Sequence, residues 1–196
     1  MAGSSCDLLV VGLGNPGSTY AGTRHNVGAD AVVELARRHG ARLKDDRKVH
    51  ASIDAVRLGD QRVVLAVPTT WMNDSGQAVG ALVRRHDLEP AQVLVVHDEL
   101  DLDPGRLKLK VGGGHAGHNG LRSIVSHLHS KDFLRLRLGV GKPPGGPERG
   151  ADWVLSKVPA SQRALLDVMI AEAADAAELT ATDGIDAAMR RYNAAD

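Results

Sequence analysis

Aromatic residues are scarce in this chain: two tryptophans, two tyrosines and one phenylalanine, 3% of the total. That argues against a stacking platform of the kind that grips single-stranded nucleic acid. Cysteine is rarer still. Cys6 stands alone, which excludes an intrachain disulfide and a cysteine-based zinc site. Net charge is missing too, since 24 Lys and Arg balance 24 Asp and Glu. Binding of nucleic acid by bulk positive charge is thereby ruled out, and any such binding must use a local patch. The first apolar run, Leu8 to Val11, follows Asp7 and no basic stretch. It is too short for a signal peptide or a membrane span. A soluble, cytoplasmic protein with no membrane partner is expected.

What remains is an ordinary globular composition, 43% apolar over 196 residues. That suits one domain, 1–196, with a core of its own. Leu8–Val11 and Val93–Val96 read as buried central strands. The residues from His50 to Val67 read as two strands around a tight turn. Arg106–Val111 and Phe133–Val140 alternate with period two, the second with Arg135 and Arg137 on its polar face. Helices are expected over Ala29–His39, from a Ser75 cap to about His86, over Leu121–His129, and from about Ala160 onward. The implied fold class is α/β: a single-domain, three-layer fold with a mixed, twisted central sheet and helices on both faces.

Charge is unevenly placed. Eight basic residues lie between Gly105 and Lys142, opposed by Asp132 alone; six acids and no Lys or Arg lie between Asp87 and Asp103. The bland reading is ordinary solvated strand faces. The sharper one is a phosphate-backbone track beside a carboxylate-bearing site.

Gly12-Leu13-Gly14-Asn15-Pro16-Gly17 matches the dinucleotide-binding pattern G-x-G-x-x-G. That motif must open directly into a helix whose N-terminus holds the pyrophosphate. Here Pro16 to Gly22 delays the helix by nearly a dozen residues, so NAD binding is set aside. The loop reads better as a scaffold that carries Asn15 and His25 at a strand exit. Asp98 sits just past the other buried strand. If the two strands are parallel neighbours, Asp98 and His25 face one crevice, and a carboxylate on one imidazole nitrogen makes the other a better base. No nucleophile elbow is present, and Ser75 is explained as a cap. The economical chemistry is His25 activating water, with Asn15, Asn73 and Asn119 presenting neutral amides to substrate carbonyls or a developing oxyanion. His115 and His118 have H-x-x-H spacing, and with His25, His97 and Asp98 a zinc site is conceivable.

These residues also carry a resemblance. Val11-Gly12-Leu13-Gly14-Asn15-Pro16-Gly17 through Thr23-Arg24-His25-Asn26-Val27-Gly28 is similar to the N-terminal signature of bacterial-type peptidyl-tRNA hydrolases. Pro68–Gly76, His97–Leu102, Gly112–Leu121 and Phe133–Gly139 resemble four further blocks of that family, in order and with family-like spacing. The resemblance implies hydrolysis of the ester joining a peptide to the 3′ ribose of tRNA, by a monomer without metal or cofactor. It implies His25 as base, Asp98 as its orienting carboxylate, and Asn15, Asn73 and Asn119 as amides that position peptide, water and oxyanion. Tyr20, Met72 and His118 fall on positions lining the peptide cleft. Lys108, Lys110 and Arg137 fall on positions tied to tRNA phosphate, and the partner is the acceptor end with its 3′ CCA. Trp71 stands where the family often has Phe or Tyr, and the lid-like segment 143–153 departs with extra Pro and Gly.

Three other readings stay open at this level. A hydrolase of another acyl ester would turn over a short ester without tRNA. A non-catalytic tRNA-binding paralogue would bind without cleaving, and an oxidoreductase would bind NAD(P).

Overall fold

Runs of consecutive apolar residues and runs that alternate sort the strands by depth. The computed structural model describes residues 5–194. In chain order its elements are β1 (Leu8–Gly12), α1 (Val27–Arg38), β2 (Lys44–Asp46), β3 (Ala51–Leu58), β4 (Gln61–Pro68), α2 (Ser75–His86), β5 (Val93–Glu99), β6 (Leu107–Val111), α3 (Asn119–Leu128), β7 (Leu134–Gly139), α4 (Gly150–Val154), α5 (Ala160–Asp183) and α6 (Ile185–Tyr192). All seven strands form one sheet in the order β2-β3-β4-β1-β5-β7-β6. The four central strands β4, β1, β5 and β7 are parallel. β3 runs antiparallel to β4, and β6 antiparallel to β7. The sheet is therefore mixed, as expected, because its hairpin and its β6 edge reverse direction.

Side chains alternate across each strand, so the sheet has two apolar faces. Leu8 and Val10 of β1, Leu94 and Val96 of β5, and the three leucines of β7 pack beneath α1, α5 and α6. Leu9 and Val11, with Val93 and Val95, pack beneath α2 and α3. Three layers result. No helix among the described residues is long and apolar enough to cross a membrane.

Some boundaries differ from expectation. α1 begins at Val27, because a 3-10 turn over Arg24–Asn26 feeds straight into it. Ser75 is the first helical residue of α2 rather than its cap. Asp74 holds the cap position, and the Ser75 hydroxyl donates to the Met72 carbonyl. β2 is short and polar, with no apolar periodicity to reveal it. Gly184, at φ 89°, splits the C-terminal helical stretch into α5 and α6. The edge strand β6 is covered by Asn193, whose amide accepts from the Leu109 N–H and donates to the Leu109 carbonyl, both at 2.8 Å. That satisfies the outward N–H and C=O of one residue on an edge that would otherwise lie open there.

Two glycines set the approach of α1 to the sheet. A Cβ on Gly28 would lie 2.1 Å from the Val96 carbonyl oxygen, and one on Gly12 would lie 2.3 Å from the Gly28 carbonyl oxygen. The start of α1 thus rests directly on β1 and β5, two residues before Asp98. This contact brings the turn that holds His25 to the carboxyl ends of the central strands, where ligand crevices form in such sheets.

Candidate active site

β5 runs on to Glu99, paired with β7, so Asp98 lies within the strand rather than just past its end, and it is 3% exposed. Its carboxylate receives two imidazoles: His25 Nδ1 lies 2.8 Å from Oδ2, and His118 Nε2 lies 2.7 Å from Oδ1. Hydrogen bonding assigns the tautomers. His118 caps α3, its Nδ1 accepting the backbone N–H groups of Gly120 and Leu121 at 3.1 and 3.3 Å. An acceptor nitrogen carries no proton, so His118 is neutral and donates its Nε2–H to Asp98. His25 donates Nδ1–H to the other oxygen, which leaves its Nε2 lone pair unshared. Burial would raise the Asp98 carboxyl. The N–H bonds donated by the two imidazoles outweigh it and hold Asp98 well below the usual carboxylate range. His25, 8% exposed, lines a cleft of about 360 Å³ between the glycine loop and α4.

Behind this trio lies a second buried chain. His97 Nδ1 donates to the Asp98 carbonyl at 2.8 Å, and its Nε2 accepts Arg135 Nε–H at 3.1 Å. Arg135 Nη1 then donates to the Gly114 carbonyl at 2.8 Å. The glycine loop that leads to His118 is thus pinned from below. Burial, seconded by the Arg135 charge, holds the His97 imidazole well below its ordinary value. Folded His97 stays unprotonated where an unfolded imidazole begins to bind a proton, below about pH 6.5. The unfolded state holds the extra proton, so stability falls as pH drops through that range, by at most about 1.4 kcal/mol per pH unit for this residue. Thermal unfolding between pH 7 and pH 5 should show a shallower fall for His97→Asn than for the wild type. An equal slope would remove His97 as a source of acid sensitivity.

Arg135 corrects one expectation. It is 2% exposed and does not share an open polar face with Arg137, because β7 lies between β5 and β6 and the glycine loop covers its end. Arg137 remains partly exposed and donates Nε–H to Glu99 at 3.0 Å. On β6, Lys108 lies opposite Arg137 and Lys110 opposite Arg135. Burial, then the Arg135 and Arg137 charges, lower the Lys110 amine. Opposed like charges on neighbouring strands are unfavourable, and Glu99 relieves only part of that repulsion.

The asparagines divide. Asn15 Oδ1 accepts the Met72 N–H at 2.7 Å, while Asn26 brackets the Asn15 backbone, accepting its N–H and donating to its carbonyl at 2.9 Å each. The Asn15 Nδ2 has no partner among the described residues. Asn119 borders both the cleft and an adjoining polar hollow, which Asn73 also lines. Met72 is buried against Gly120, where an added Cβ would meet its sulfur at 2.6 Å. Tyr20 stands edge-on to Trp71 with ring centroids 5.7 Å apart.

The zinc expectation narrows. His25, Asp98 and His118 offer ligand atoms within 4.8 Å of one another, with His25 Nδ1 and His118 Nε2 hydrogen-bonded to Asp98. His97 is used on both sides of its ring, and His115 Nδ1 accepts the Gly117 N–H. Sequence reasoning missed Asn26, Arg24 and the burial of Arg135. The Thr-Arg-His-Asn run was visible, but nothing local shows that its neighbours to His25 are turned inward.

The family model described as Peptidyl-tRNA hydrolase matches residues 9–196. A peptidyl-tRNA hydrolase of Cutibacterium acnes is 51% identical over 195 residues, covering 94% of this chain and 97% of the relative. One from Mycolicibacterium smegmatis is 48% identical, with coverage of 95% and 97%. A crystal structure of peptidyl-tRNA hydrolase from Acinetobacter baumannii superposes with a TM-score of 0.91 at 43% identity, over 98% of each chain.

Proposed function

Because the chain belongs to the peptidyl-tRNA hydrolase family, we propose that His25 acts as the general base of its reaction and Asp98 as the carboxylate that aims it. The enzyme hydrolyses peptidyl-tRNA, releasing tRNA and peptide. One observation carries the assignment: Asp98 accepts N–H from both His25 and His118, so the only imidazole lone pair left for the cleft is His25 Nε2. His25 Nε2 takes a proton from water, and the water oxygen attacks the ester carbonyl. The oxyanion that forms accepts an amide N–H, for which the unpartnered Nδ2 of Asn15 is suited. The C–O bond to the ribose breaks, and the 3′ oxygen leaves with the proton from His25.

Asn73 and Asn119 hold the peptide backbone by amide contacts that ignore side chains. Tyr20, Met72 and His118 shape the walls. No metal or cofactor is needed, because an ester is activated enough for a base and an oxyanion donor. Lys108, Lys110 and Arg137 receive phosphates of the tRNA acceptor end beside its 3′ CCA. The opposed cations of β6 and β7 support this reading, since an anionic partner relieves their repulsion.

Two measurements test it. Wild-type protein should cleave N-acetyl-aminoacyl-tRNA with EDTA present and leave a short acyl ester nearly untouched. Brisk turnover of the short ester would favour a general esterase instead. Lys110→Ala should raise KM and reduce the slope of log(kcat/KM) against log[salt] by about 1. An unchanged slope would remove Lys110 from the phosphate contact.

A further inference from the structure

The helix α4 covers one side of the cleft through Gly150, Ala151 and Val154, with Pro147 just before it. A helix of five residues cannot hold itself in place, so something must hold it down. Trp153 donates Nε1–H to the Gly141 carbonyl at 2.9 Å. The face of its ring is covered by the Arg24 guanidinium, 3.5 Å from the ring centroid. Arg24 Nη1 also donates to the Trp153 carbonyl at 3.4 Å and to the Ser156 hydroxyl oxygen, and Nη2 donates to Gln162 Oε1 at 3.3 Å. Arg24 is 3% exposed, yet every one of these acceptors is neutral. A buried cation without a carboxylate partner is costly, and burial lowers its pKa. Its donors all go to the lid segment and the start of α5, and the next residue is His25.

We infer that Arg24 is a positioning residue for this reaction: stacked on Trp153, it holds α4 over the cleft and ties that lid to the turn carrying His25. The inference rests on the reading of the cleft as the site of ester hydrolysis. The backbone joins the two segments independently, through Arg24 N–H to the Ser156 carbonyl, Val158 N–H to the Gly22 carbonyl and a bridge between Thr23 and Lys157. His25 itself is aimed by Asp98. Loss of the Arg24 side chain therefore loosens the lid more than the base. The effect falls on KM for peptidyl-tRNA, while kcat and its pH profile are spared.

The test uses a Trp71→Phe parent, in which Trp153 is the one tryptophan left of two. Relative to that parent, Arg24→Met should raise KM about tenfold, the scale of a desolvated cation–π contact with its attendant hydrogen bonds. In the absence of substrate, its Trp153 emission should move to longer wavelength and become more open to acrylamide. Arg24→Lys, which keeps the charge but not the fork, should recover part of both. Trp153→Leu removes the platform from the lid side and should raise KM similarly even if Arg24→Met folds poorly. The double variant should raise KM by less than the product of the two single effects, since both remove the one stacking contact. An unchanged KM, an unchanged emission, or a fall in kcat with a shifted pH profile would overturn the inference. Additive KM effects in the double variant would do so too. If the parent did not cleave peptidyl-tRNA at all, the functional reading would fail, while the substrate-free emission would still decide the latch.

Discussion

His25→Ala lowers kcat for N-acetyl-aminoacyl-tRNA by about 10²–10⁴-fold, the usual contribution of a positioned general base, and leaves KM nearly unchanged. The size follows from the hydrogen bonds. His118 cannot substitute, because its Nδ1 caps α3 and its Nε2–H is committed to Asp98. His97 cannot, because its ring is held between the Asp98 carbonyl and Arg135. No second imidazole lone pair is left for the cleft. KM is spared because the proposed phosphate contacts sit on β6 and β7, away from the His25 ring. Single-turnover cleavage together with equilibrium tRNA binding separates the two quantities. Activity close to that of the wild type would end the assignment.

Asp98→Asn is expected to reduce kcat by a similar factor, about 10²–10⁴-fold, although it changes one atom and keeps the shape. Asp98 accepts two N–H bonds, one on each oxygen. Asparagine accepts on one side and donates on the other. His118 has no choice of tautomer, because two backbone N–H groups point at its Nδ1. The asparagine oxygen must therefore turn to His118 and its NH₂ to His25. His25 Nδ1 becomes an acceptor, its proton moves to Nε2, and the lone pair that activates water is lost from the cleft. The double demand on one carboxylate makes this substitution more damaging than loss of charge alone. The decisive comparison is with His118→Ala in the Asp98→Asn background. Freed of His118, the asparagine can flip its oxygen to His25 and restore the productive tautomer, so the double variant should be faster than Asp98→Asn. A double variant slower than the single one would show that His118 does not set the orientation.

Much of this molecule was legible without coordinates. Leu8–Val11 and Val93–Val96 announce central strands because a strand buried on both faces has no polar positions. The loop after the first, with Asn15 and His25, and the polar end of the second, with Asp98, announce a site because strand ends in such sheets are where a ligand crevice forms. The β2 edge was not legible, since Lys44–Asp46 has no apolar face for a core to read. Nor was the cap of α2, where the Ser75 hydroxyl met a carbonyl one turn back rather than the helix N–H groups.

The sequence by itself determined the kinds of chemistry available: no disulfide, no net charge to hold RNA in bulk, imidazoles and asparagine amides in the loops, and cations gathered between Gly105 and Lys142. Only the tertiary structure decided which histidine turns an unshared lone pair to the cleft, which arginine stays partly open to solvent, and which is turned inward beside His25. Alternation places Arg135 and Arg137 on one face, but the glycine loop, folded back from 21 residues away, buries the first and leaves the second partly exposed. Likewise Arg24 finds Trp153 across 129 residues of chain. Local pattern records which way a side chain points along its own element. What it meets there depends on segments brought in from elsewhere, and that encounter sets burial, tautomer and charge.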